Sequence, residues 1–225
     1  MLGLAGLPLG MRFRFLEPAP DAPASVLGEV VQRDYGEIAA IDELSDGMDV
    51  VTYEFENVSI EVVRHVSERV PVHPAPAALE LSQDRRVEKD GFRSLGVPTA
   101  AYRTVETEDE LRAAADELGF PCVLKTRRMG YDGKGQSVLR GPEDLAAAWS
   151  VLGERLLILE SFVPFDRELS ILAVRSGDGE IRCYPLAENL HREGILRQTV
   201  APAPNVSAEL QARAESYCSK IMEVL

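Results

Sequence analysis

A chain of 225 residues that is 45% hydrophobic and 27% charged has enough apolar material for a large core and for more than one domain, and its composition excludes a disordered chain. Its net charge of −13 speaks against a nucleic-acid partner, because sequence-independent affinity for phosphodiester backbone needs clustered surface cations. Three cysteines, Cys122, Cys183 and Cys218, lack any CxxC spacing; they argue against a disulfide frame or zinc site and are expected to be reduced and mostly buried.

In chain order, residues 1–10 read as the tail of a helix closing at Gly10. They have no basic n-region and are interrupted by Pro8, and no apolar run is long enough to span a bilayer, so no secretory leader and no membrane partner are expected and the location expected is cytoplasmic. Residues 11–16 (MRFRFL) alternate with period two, and residues 49–55 (DVVTYEF) are β-branched and aromatic, so both predict strands. Helices are predicted over 38–44 and 60–68. Strands separated by helices imply a parallel sheet with βαβ connections. A first strand and glycine turn would precede residue 1, so the chain reads as lacking its N-terminal end.

Pro71, Pro74 and Pro76 mark a boundary that gives a first domain of residues 1–76 and a second of residues 77–225. One or two helices fill 77–95 and stop at Gly96 and Pro98. Thr107 and Glu110 form a T-x-x-E capping box for a helix to about residue 118, with Leu111, Ala114, Ala115 and Leu118 on one face. Strands follow at 120–125 and 137–139, then a helix with Pro142 in its first turn, then an apolar strand at 156–159 ending at Glu160. Residues 167–174 alternate in polarity and are predicted to turn at Asp178 and Gly179 back into 181–185 as one hairpin. A strand at 194–200, a linker at 201–204 and a final amphipathic helix capped by Ser207 complete the chain, whose last helix reads as cut rather than finished.

The chemistry concentrates in residues 125–136 (KTRRMGYDGKGQ). Lys125 ends an apolar strand, where a side chain can leave the core for a cleft. Gly130, Gly133 and Gly135 allow backbone N–H groups to approach an anion, Lys134 adds a mobile cation, and Gln136 follows. The run fits neither GxxxxGK[ST] nor GxGxxG and reads as strand–loop–strand. Alone it reads better as a hairpin turned at Asp132 and Gly133 with solvated cations. Glu160, Glu168 and His191 also fall at or near strand ends, which makes a cleft the natural inference; a nucleotide there would need a carboxylate acceptor for its ribose hydroxyls and an apolar slot with backbone groups, such as those of residues 160–163, for adenine. Taken singly, each carboxylate reads better as a surface acid, His191 as a turn cap, and Arg85 as a partner of Asp84 or Glu88.

Taken together, residues 49–57 (DVVTYEFEN), 83–85 (QDR), 125–136, 162–170 (FVPFDRELS) and 184–197 (YPLAENLHREGILR) resemble the ATP-grasp enzymes, and within them the 5-(carboxyamino)imidazole ribonucleotide synthase family of purine biosynthesis. The resemblance implies an α/β fold: a pre-ATP-grasp, Rossmann-like parallel-sheet domain over 1–76, N-terminally incomplete, then an ATP-grasp α+β domain over 77–225, C-terminally incomplete, with 99–175 as its nucleotide-gripping subdomain. It implies that ATP phosphorylates bicarbonate to carboxyphosphate, whose carboxyl group passes to the exocyclic amine of 5-aminoimidazole ribonucleotide. By position, Lys125 is similar to the phosphate-binding lysine and residues 130–136 to the closing loop. Glu160, Ser161, Phe162 and Val163 resemble the adenine hinge, Glu168 the ribose acceptor, and Arg85 and His191 further nucleotide contacts. Tyr131 and Asp132 resemble residues that meet the ribonucleotide, and with Lys134 they are the expected catalytic group. Ser161 departs from the acidic residue expected there.

The resemblance further implies a homodimer and ATP with Mg2+, whose ligands are expected beyond residue 225; no metal ligand is expected among the residues present. The expectation is therefore weak nucleotide binding and poor turnover by residues 1–225 alone. A different ATP-grasp ligase, such as a formate-using transformylase, and a non-catalytic nucleotide-binding module are the alternative readings.

Overall fold

The computed structural model describes residues 2–130 and 133–225. The chain forms two compact units, Met1–Ser82 and Gln83–Leu225. Among the described residues, no helix is long and apolar enough to cross a membrane.

In the first unit, helix α1 (Leu2–Gly6) runs into a short 3-10 turn (Leu7–Leu9) that closes on Gly10 with φ 79°. Strand β1 (Arg14–Leu16) pairs in parallel with β2 (Glu29–Val31), Phe15 opposite Val30, as separated strands require. Helices α2 (Ile38–Ser45), α3 (Ile60–Ser67) and α4 (Pro76–Ser82) supply the core: Ile41, then Val62, Val63 and Val66 along one side of α3, then Leu79, all against Val72. The strand expected over 49–55 is reduced to a single parallel bridge between Val51 and Val72. Val51 donates to the Pro71 carbonyl and His73 donates to the Val51 carbonyl. Pro71 and Pro74 on the facing segment have no N–H with which to extend that ladder.

The second unit begins with α5 (Arg85–Ser94), N-capped by Asp84, whose carboxylate accepts from the Arg86 N–H. A four-stranded antiparallel sheet follows in the order β3 (Tyr102–Val105), β6 (Leu157–Ser161), β4 (Cys122–Thr126), β5 (Gln136–Leu139). The period-two alternation of β4 decides its two faces. Cys122 and Leu124 join Leu157, Leu159, Val105 and Leu139 under helices α6 (Glu108–Leu118) and α7 (Leu145–Leu152). Val123 and Lys125 point the other way, onto the face shared with Tyr102, Ile158 and Glu160. Helix α6 carries the expected capping box, with the Thr107 hydroxyl accepting from the Glu110 N–H and the Glu110 carboxylate accepting in return.

The remaining strands correct the sequence reading. Residues 167–174 do not fold back on 181–185 as one hairpin. Strand β7 (Glu168–Ser170) pairs with β10 (Ala187–Arg192), which pairs with β11 (Ile195–Val200), whereas β8 (Ala173–Arg175) and β9 (Ile181–Cys183) form a separate two-stranded hairpin. Long-range polar contacts explain the split: Arg167 reaches Glu188 with two hydrogen bonds of 2.9 Å, and Asn189 Nδ2 donates to Ser170 Oγ at 3.0 Å. Helix α8 (Ala208–Met222) is capped by Ser207, whose hydroxyl accepts from the Leu210 N–H. All three cysteines are free, and Cys122 is the fully buried one, its thiol pushed up by that burial.

Candidate functional site

The sheet face opposite α6 and α7 is where charge collects. Lys125 lies across from Ile158 and Glu160 across from Val123, so the two charged side chains are diagonal neighbours on one face. Lys125 Nζ donates to Glu160 Oε2 at 2.9 Å, and Lys89 Nζ, from α5, lies 3.2 Å from Oε1. The Glu160 side chain is only 8% exposed, against 15% for Lys89 and 24% for Lys125. Burial pushes the Glu160 carboxyl up, but the hydrogen bond and charge of Lys125, with those of Lys89, outweigh it and hold the group below the ordinary glutamate range. Its neighbour Glu88 goes the other way: burial raises it, the nearby Glu160 charge adds to that, and Arg85, Lys89 and Lys125 offset it in part. Three cations, Arg85, Lys89 and Lys125, thus surround two carboxylates, Glu88 and Glu160.

Asp84 is bound not by Arg85 but by Arg127, through contacts of 3.0 and 2.6 Å. Arg85 is thereby left to the loop, with Nη2 donating to the Gly130 carbonyl at 3.4 Å. The loop itself is built tightly. Gly133 and Gly135 have φ of 74° and 73°, and a Cβ on Gly135 would come within 2.7 Å of Thr126 Oγ1. The Thr126 N–H donates to the Gly135 carbonyl at 2.8 Å, tying the two arms of the loop at its base. Thr126 is 1% exposed and its hydroxyl has no hydrogen-bond partner among the described residues. At the tip, Gly133 abuts Gly194, where a Cβ would lie 2.6 Å from the Gly133 Cα; the loop therefore reaches the turn between β10 and β11. Lys134 and Gln136 are exposed, and Tyr131 and Asp132 lie outside the described residues.

The segment after Glu160 is open. Ser161 donates its N–H to the Ala101 carbonyl at 2.8 Å and Phe162 to that of Pro121 at 3.4 Å, while the side chains of Phe162 and Val163 are exposed. Glu168 Oε2 lies 3.1 Å from His191 Nδ1; Glu168 pairs with Asn189 on β10, and His191 comes two residues later, just past a bulge in the β10–β11 pairing. The residues singled out from sequence thus form two groups: Arg85, Lys125, Glu160 and the glycine loop, and the pair Glu168–His191, with the loop tip touching the turn of the hairpin that carries His191.

Sequence reasoning passed over Lys89 and Thr126. Lys89 is four residues after Arg85 on α5, so helical spacing alone puts both cations on one side, and that signal was available. Thr126 carried none, because its significance lies in the loop that folds over it. Among the described residues no group of three or more His, Cys, Asp or Glu side chains is arranged to hold a metal ion. The described donor set therefore does not fit a magnesium site. What it can do is hold and orient an extended polyanion.

Residues 90–225 match the model of the ATP-grasp domain, and residues 1–83 that of the ribonucleotide synthetase preATP-grasp domain. The chain is 49% identical over 222 residues to the N5-carboxyaminoimidazole ribonucleotide synthase of Pseudomonas aeruginosa, covering 99% of this chain and 61% of that protein. It is 39% identical over 228 residues to the enzyme of the same name from Brucella melitensis, covering 100% of this chain and 63% of that one. Among solved structures, it is similar to the N5-carboxyaminoimidazole ribonucleotide synthetase of Thermus thermophilus, with a TM-score of 0.93 and 47% identity over 100% of this chain and 61% of the other. It is also similar to the Aspergillus clavatus N5-carboxyaminoimidazole synthase in complex with ADP and 5-aminoimidazole ribonucleotide, with a TM-score of 0.88 and 26% identity over 100% of this chain and 59% of the other. The chain spans about three fifths of the length of these relatives.

Proposed function

We propose that this chain, which belongs to the ATP-grasp family, is the nucleotide-gripping part of an enzyme that carboxylates 5-aminoimidazole ribonucleotide. ATP and bicarbonate would be consumed, and N5-carboxyaminoimidazole ribonucleotide, ADP and phosphate formed, in purine biosynthesis. The observation that carries the reading is the Lys125–Glu160 pair at the foot of a glycine loop on the open face of the sheet. The relatives' names and the ADP and ribonucleotide in the Aspergillus clavatus complex supply the substrate class.

In this reading Lys125, Lys134 and the N–H groups of Gly130, Gly133, Gly135 and Gln136 receive the phosphate chain. Adenine lies along Glu160, Ser161, Phe162 and Val163. Because the Ser161 and Phe162 N–H groups are already donated within the protein, the N–H of Val163 is the donor left to meet the base. Glu168 accepts from the ribose hydroxyls, with His191 fixing its orientation at 3.1 Å, and Arg85 holds the loop at Gly130. Tyr131 and Asp132 meet the ribonucleotide. The terminal phosphoryl group passes to a bicarbonate oxygen with release of ADP, and the amine of the ribonucleotide then attacks the carboxyl carbon and expels phosphate. The protein's share is positioning and charge neutralisation, and a closed loop keeps water from the mixed anhydride. Magnesium would supply neutralising charge to the transferring phosphates. A homodimer and a cytoplasmic location belong to the same reading, the homodimer on the resemblance alone.

The test is phosphate release from ATP and bicarbonate by the protein that carries this chain, with and without 5-aminoimidazole ribonucleotide, beside Lys125→Ala. Release stimulated by the ribonucleotide and lost in the variant is expected. Dependence on formate instead of bicarbonate would move the protein to a transformylase, and nucleotide binding without any release would make it a binding module.

A further inference from the structure

Glu160 has two lysines where one would neutralise it. If Lys125 is to reach a phosphate chain it must leave Oε2, and a carboxylate 8% exposed that loses its only cation is strongly disfavoured. The second lysine removes that obstacle. Lys89 lies 3.2 Å from Oε1, and it is placed more firmly than Lys125: it is the less exposed of the two, rises from the first turns of α5, and sits 6.0 Å above the ring of Tyr102, the residue paired with Glu160 on β3. Lys125, at the end of its strand beside the glycine loop, is the one placed to move.

We propose that Lys89 is a positioning residue, the resident counter-ion of Glu160 that frees Lys125 to bind the phosphates of a nucleotide. The inference rests on the nucleotide reading above and adds a division of labour between the two lysines: Lys89 never contacts the ligand, and it acts by keeping Glu160 compensated while Lys125 exchanges one anion for another. In its absence Lys125 is retained by Glu160, and the phosphate chain must compete with a buried carboxylate for it.

The experiment is calorimetric titration of ADP into the wild-type chain, Lys89→Met, Lys89→Arg, Glu160→Gln and the double variant Lys89→Met with Glu160→Gln. Lys89→Met is expected to weaken ADP binding tenfold or more and Lys89→Arg to restore most of it. In the Glu160→Gln background, where the partner is neutral and needs no counter-ion, Lys89→Met is expected to change affinity less than twofold. That second comparison also stands if Lys89→Met alone fails to fold. Equal loss in both backgrounds would overturn the inference, since Lys89 would then contact the phosphates itself or serve only packing; so would wild-type affinity in Lys89→Met. A wild-type chain that does not bind ADP removes the nucleotide reading and this inference with it, whereas binding that ignores Lys89 removes the inference alone.

Discussion

Lys125 and Glu160 meet at 2.9 Å across neighbouring antiparallel strands, as diagonal rather than directly opposed neighbours, with Lys89 on the other carboxylate oxygen. The pairing is asymmetric, one acid between two bases, and its two halves respond differently to truncation. Lys125→Ala leaves Glu160 compensated by Lys89, so the protein is expected to stay folded at a cost of about 1 kcal/mol while losing at least tenfold in ADP affinity. Glu160→Ala strands two half-buried lysines side by side and is expected to cost about 3 kcal/mol. Urea unfolding of both variants checks the order, and a Lys125→Ala variant less stable than Glu160→Ala would contradict it.

Glu160 and Glu88 give opposite pH signatures. The Glu160 carboxyl is held below its unfolded value, so the stability it contributes is present above the ordinary glutamate range near pH ~4.3 and is lost as pH falls through the lower folded value. Glu88 is raised by burial beside Glu160, with Arg85, Lys89 and Lys125 around it, so its ionisation opposes folding above its folded value. Glu88→Gln is therefore expected to raise the melting temperature at pH 7, and the advantage over wild type is expected to close as pH falls below about 4. Melting curves from acid to neutral pH read both signs, and a Glu88→Gln variant less stable than wild type at pH 7 would refute the second.

Gly135 has no room for a methyl group. Its φ of 73° is strained for any L side chain, and an added Cβ would sit 2.7 Å from Thr126 Oγ1. Gly135→Ala is expected to cost about 1–3 kcal/mol and to weaken ADP binding. Thr126→Ala removes a buried hydroxyl that has no partner among the described residues, and is expected to leave stability within about 1 kcal/mol of wild type and to recover part of the Gly135→Ala loss in the double variant. A double variant no better than Gly135→Ala would show that backbone strain alone sets the cost.

Thr107 serves as the control outside the cleft. Its capping box closes α6 on the far face of the sheet, so Thr107→Ala is expected to cost about 1 kcal/mol by thermal or urea unfolding and to leave ADP affinity unchanged.

What could be read from the sequence was what short-range physics decides. The capping box at Thr107, the apolar strand that carries Lys125 near its end, and the glycines that turn the loop are all local. The misreadings are long-range. Residues 49–55 have strand composition, but prolines in the segment they face limit them to one bridge, and nothing within 49–55 reports that. The run 167–174 alternates like one strand, yet Arg167 and Ser170 answer to Glu188 and Asn189, far along the chain, so β7 leaves the hairpin that the turn at Gly179 makes for β8 and β9. At the site, Lys125, Glu160, Glu168, His191 and Arg85 carried visible signals. Lys89 is explained only by its distance to Glu160, although its helical spacing from Arg85 was there to be read.

The central claim is that a nucleotide lies along the open face of the second unit's sheet, beneath the glycine loop. Amide hydrogen exchange of the chain with and without saturating ADP tests it most directly. Exchange is expected to slow at residues 126–136 and 160–163 and around Glu168 and His191, while α6 and α7 on the opposite face stay unchanged. ADP binding that protects α6 and α7, or the first unit alone, and leaves Thr126, Gly135 and Val163 as they were would contradict the account.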